Sequence, residues 1–84
     1  MKYTYPALFI EDPNDPGYII ISFPDLIGIG SEAKKGEEMA YAKEILGLAL
    51  SIPYRRLINP TSVDILKERF PDHEVRLVTV DIFD

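Results

Sequence analysis

Carboxylates are the commonest reactive groups in this chain, and their spacing decides which chemistry is open to it. Two-metal hydrolysis needs several carboxylates at one point, because the attacking and leaving oxygens both need charge stabilisation. The candidates are Glu11, Asp12, Asp15, Asp25 and Asp81. Asp12 and Asp15 lie in Glu11-Asp12-Pro13-Asn14-Asp15-Pro16-Gly17, where Asp and Asn are the usual turn formers. Asp25 follows Pro24 at a turn, and Asp81 alternates outward on a terminal strand. No spacing demands that three of them meet, so the sequence predicts no metal site, no cofactor and no catalytic centre. His73, the single histidine, stands between Asp72 and Glu74 in a polar stretch and reads as a solvated loop residue rather than a general base. Gly28-Ile29-Gly30 lacks the third glycine and following helix of a dinucleotide loop and reads as a bend or close approach. The absence of cysteine excludes disulfides and thiol chemistry.

Charge then points towards binding. The net charge is −5 over 84 residues, and the nine Lys and Arg are scattered. A nucleic-acid binder ordinarily carries a basic footprint, whereas an acidic domain suits a basic protein. The candidate contact set is Glu11, Asp12, Asp15, Asp25 and Glu32, with Tyr41, which falls off the apolar stripe of its helix and should be partly exposed. The alternatives are a stand-alone RNA-binding protein, in which Tyr54, Arg55 and Arg56 combine stacking with phosphate neutralisation, and an orphan regulatory or adaptor domain. No segment is apolar for long enough to span a bilayer, and no secretory leader is legible, so the expected location is the cytoplasm.

Positioning these groups falls to one small α+β domain spanning 1–84. Residues 3–10 read as a strand in which Pro6 implies an edge or a strand start; an edge bearing Tyr3 or Tyr5 would invite pairing with another chain. After the Pro- and Asp-rich turn, residues 18–23 form a strand with Ile19, Ile21 and Phe23 on one face and Tyr18, Ile20 and Ser22 on the other. Apolar residues on both faces predict a central strand. Leu26 to Ser31 reads as a short third strand and Glu32 to Gly36 as a polar connection. Met39, Ala42, Ile45, Leu46, Ala49 and Leu50 form the stripe of a helix over 37–51, stopped by Pro53. Thr61 or Ser62 offers an N-cap for a short helix near 62–69, and residues 75–83 form the last strand. The resulting order, β-β-β-α-(short α)-β, predicts an antiparallel meander with one main helix packed on one face.

Against that frame the motifs resemble a known family. Gly17 to Gly28, G-Y-I-I-I-S-F-P-D-L-I-G, is similar to the F-P-D-L-P-G stretch of HicB-like antitoxins, although Ile27 stands where the family has proline. The opening Tyr5-Pro6-Ala7-Leu8-Phe9 resembles the family's first strand, and Glu37 to Leu46 resembles its helix. The resemblance implies a partial ribonuclease-H-like fold. It also implies a role in binding and neutralising a HicA-like toxin, a small basic mRNA-cleaving protein. It further implies a homodimer or higher homo-oligomer. Many members add a C-terminal DNA-binding domain; the chain ends with its last strand at Asp84, so no such domain, and no operator binding, is expected here.

Overall fold

The computed structural model describes residues 1–26, 28–52 and 59–82. It is an α+β fold: β1 (Lys2–Glu11), β2 (Tyr18–Ser22), β3 (Gly30–Lys34), α1 (Glu38–Leu50), α2 (Val63–Arg69) and β4 (Glu74–Asp81). The strands form one sheet in the order β3-β2-β1-β4, with every neighbouring pair antiparallel.

The isoleucine-rich β2 is central, as its two apolar faces predict. β1 is central too, which corrects the expectation of an edge there. It pairs with β4 over Lys2 to Phe9 but with β2 only over Leu8 to Glu11. Pro6 tolerates this position because it faces Leu77. Lacking an N–H, it must belong to a pair whose backbone groups turn away from β4, towards the side β2 does not reach. Tyr5 is consequently buried, and Tyr3 packs against the core.

The pleat sorts the core into two layers. Tyr5, Ala7 and Phe9 of β1 join Ile19, Ile21, Ala33 and Val78 beneath α1, which buries Ala42, Leu46 and Ala49. The opposite face is smaller: Leu8 and Val75 meet Leu66 of α2, flanked by Val63 and Phe70. The two helices therefore cover opposite faces of the sheet. α2 begins as its sequence predicts, with the Ser62 hydroxyl accepting from the Ile65 N–H at 3.3 Å.

The third strand departs from expectation. Leu26 is buried in a turn stitched by Leu26 N–H to Phe23 C=O and Ile29 N–H to Leu26 C=O, both 3.0 Å, and β3 starts only at Gly30. Gly28 holds φ +83° in that turn, a left-handed conformation other residues resist. A Cβ on Gly30 would lie 2.9 Å from the Ile21 carbonyl oxygen, so the close approach there is real. Glu32 consequently lies on a strand and not in a connection.

Candidate acidic docking site

The β1–β2 hairpin loop is built by its own side chains. The Asp12 carboxylate accepts from the Asn14 N–H at 2.9 Å, an Asx turn, and Asp12 and Tyr18 close the hairpin through the Asp12 N–H and Tyr18 C=O at 3.0 Å. This geometry aims Asp12 and Asp15 at β3. Glu32 lies opposite Ile20, which lies opposite Ile10. Cross-strand partners share a face, and Ile10 shares its face with Leu8, so Glu32 stands on the α2 side of the sheet. There its carboxylate meets Asp12 and Asp15, with ligand oxygens from all three within 4.8 Å of one another. Three carboxylates thus converge from the hairpin loop and β3, a grouping that no residue spacing announces.

Like charges this close cannot all stay ionised at ordinary cost. A hydrogen bond shared with Asp12 pushes the Glu32 carboxyl above its usual range, helped by desolvation and by the charges of Asp12 and Asp15. The same hydrogen bond, with the N–H groups of Asn14 and Asp15, holds Asp12 below it. Such a trio could hold one divalent cation through oxygen ligands or receive the cationic side chains of a protein.

The other expected contact residues are dispersed. Glu11 lies on the α1 side, 2.9 Å from the Lys35 ammonium, and that bond holds Glu11 below its usual range and Lys35 above its own. Asp25 sits beyond the far end of β2, away from the trio. It accepts from the Thr61 N–H at 2.8 Å and from the Thr61 hydroxyl, tying the β2–β3 turn to the approach of α2. Tyr41 is 41% exposed on α1, as its helical position predicts, but across the sheet from the trio. Tyr54, Arg55 and Arg56 lie outside the described residues.

His73 corrects the reading of a solvated loop. It is half-buried and stacks on Phe70 with centroids 5.5 Å apart, its backbone N–H bonded to Phe70 C=O at 3.1 Å. It lies in the connection between α2 and β4. The interactions that sequence reasoning missed are the approach of Glu32 to Asp12 and the Glu11–Lys35 pair; both depend on the β2–β3 register, which a polar strand does not announce. Beside the trio, Ile10, Ile20 and Tyr18 are half-buried, and none belongs to either core cluster. The result is a small apolar strip with an acidic rim.

Among the described residues no helix is long and apolar enough to cross a membrane. No family model, curated protein or solved structure matches the chain.

Proposed function

We propose that this domain is a protein-binding module of the HicB-like antitoxin type, which neutralises a small basic HicA-like ribonuclease by covering its cationic surface. The observation that carries the reading is the convergence of Asp12, Asp15 and Glu32 beside the Ile10–Ile20–Tyr18 strip. An apolar centre with a charged rim is how protein interfaces are built. An acidic rim also steers a basic partner into register and speeds its arrival. The Glu32 carboxyl is held above its usual range, and cationic side chains favour its ionised form, so binding should strengthen as pH rises through the acid range.

Co-expression with a short basic protein encoded beside the gene tests the reading. The expected result is a complex that co-purifies and a host that survives expression of the neighbour. Recovery of both proteins unassociated, with toxicity undiminished, would remove it.

A further inference from the structure

We infer that the outward side of α1 is a second docking surface, shaped for a cationic amphipathic helix of a partner protein. It lies across the sheet from the acidic trio and uses none of its residues. α1 buries Ala42, Leu46 and Ala49 against the sheet. Beside that stripe runs a second apolar row, Tyr41, Ile45, Leu48 and Ile52, spaced four, three and four residues apart. Ile45 is half-buried, but Tyr41, Leu48 and Ile52 are 41%, 66% and 49% exposed. Six large apolar side chains are exposed among the described residues, and three of them fall in this one row. Singly scattered apolar residues are ordinary on a surface; an aligned set marks a binding face.

The row borders a groove. Ile45, Leu48 and Ile52 face Gly28, Ile29 and Gly30 of the β2–β3 turn across a depression of about 400 Å³. Two residues of that wall are glycines fixed by the fold, Gly28 by its φ of +83° and Gly30 by the nearby Ile21 carbonyl, so they place no side chain in the groove. Among the described residues no polar side chain lines it. A small polar ligand would find nothing there to fix its orientation, whereas an apolar anchor from a protein would be desolvated. The depression on the other side of α1 differs, because Lys43, Glu44, Ser51, Thr79 and Asp81 help to line it.

Spacing selects the form of the occupant. A four-three-four row has the period of knobs-into-holes packing, about 3.5 residues, so a helix laid along α1 can touch every member. A strand, with its period of two, cannot. Charge selects the chemistry. Glu37 and Glu44 are exposed and stand one turn before Tyr41 and Leu48, on the flank where helix partners place opposite charges. Lys43 lies about 160° round the helix from Ile45, and Lys35, at the entry to α1, is already paired with Glu11. A second copy of α1 laid antiparallel would set these glutamates against their own counterparts. A foreign helix with Lys or Arg at the matching positions would pair with them, and the net charge of −5 favours its approach.

Titration of the full chain with a synthetic amphipathic peptide of three heptads, Leu at its a and d positions and Lys at e and g, tests this. The expected result is saturable binding in fluorescence anisotropy, weakened about tenfold or more by Leu48→Gln and several-fold by Glu44→Gln, with the circular dichroism spectrum of each variant kept. The same peptide with Glu in place of Lys should not bind. Asp12→Asn/Asp15→Asn/Glu32→Gln should leave the affinity unchanged, so failure here and failure of the proposed function are read separately. No binding of the Lys peptide, equal affinity for wild type and Leu48→Gln, or equal binding of the Glu peptide would overturn the inference. So would a wild-type oligomer in sedimentation that Leu48→Gln dissolves, since the row would then belong to a second copy.

Discussion

Asp25 separates a docking residue from a structural one. Truncation in Asp25→Ala leaves the Thr61 N–H and hydroxyl without the acceptor that now holds both. A hydrogen bond to a charged group contributes about 1.5–3 kcal/mol. This pair is only partly buried, so water recovers some of the loss, and a net cost of about 2 kcal/mol is the expected sum. A domain of this size has a total stability of about 4–13 kcal/mol, so the variant stays folded at room temperature. At about 4–8 °C per kcal/mol its Tm should fall by roughly 8–16 °C. Thermal unfolding by circular dichroism measures it, and Thr61→Val in a double-mutant cycle should show coupling of at least about 0.5 kcal/mol. The Asp25 charge also contributes, after burial, to the raised pKa of the Tyr5 phenol, so Tyr5 should ionise at lower pH in the variant. An unchanged Tm together with weakened partner binding would refute the assignment and return Asp25 to the docking surface.

Other expectations follow from the same geometry. Leu66→Ala empties the centre of the smaller core, where Leu66 is fully buried; a loss of about 3–5 kcal/mol is expected in denaturant titration, and less than about 1 kcal/mol would mean α2 is not anchored there. Carboxyl titration by NMR should show Asp12 ionising below and Glu32 above their ordinary values. By linkage the Asp12 and Glu11 contributions are present above the ordinary carboxylate range and lost as pH falls, whereas the Glu32 contribution is present below that range and lost as pH rises; Glu32→Gln should therefore flatten the loss of stability on the rising side. If the trio is a docking rim, as proposed, calcium or magnesium at about 1 mM, the weak end of carboxylate sites, should leave the Tm unchanged; a saturable rise abolished by Glu32→Gln would make it a cation site instead.

Much of the fold could be read directly from residue spacing. Period-two alternation located β2 and its faces, the Met39–Leu50 stripe located α1, and Ser62 located the start of α2, because burial and capping impose those periods on the chain. β3 was misplaced because Gly30-Ser31-Glu32-Ala33-Lys34 turns only Ala33 into the core. A mostly polar strand next to a glycine-bounded turn leaves no apolar period to detect. The misreading of β1 has a similar cause: Pro6 does lack a hydrogen-bonding neighbour on one side, because β2 pairs only with Leu8 to Glu11, yet its strand is central between β2 and β4. The acidic residues were legible as a set, but their grouping was not. It depends on cross-strand register, which brought Glu32 to Asp12 and Asp15, paired Glu11 with Lys35, and left Asp25 and Tyr41 elsewhere.

The proposed function requires that the acidic trio receive a basic protein. Stopped-flow association of the neighbour-encoded basic protein with wild type and with Asp12→Asn/Asp15→Asn/Glu32→Gln measures this directly. The expected result is an on-rate at least about tenfold lower for the triple variant at low salt, the difference closing as salt screens the steering field. Equal on-rates for the two proteins at every ionic strength would contradict it.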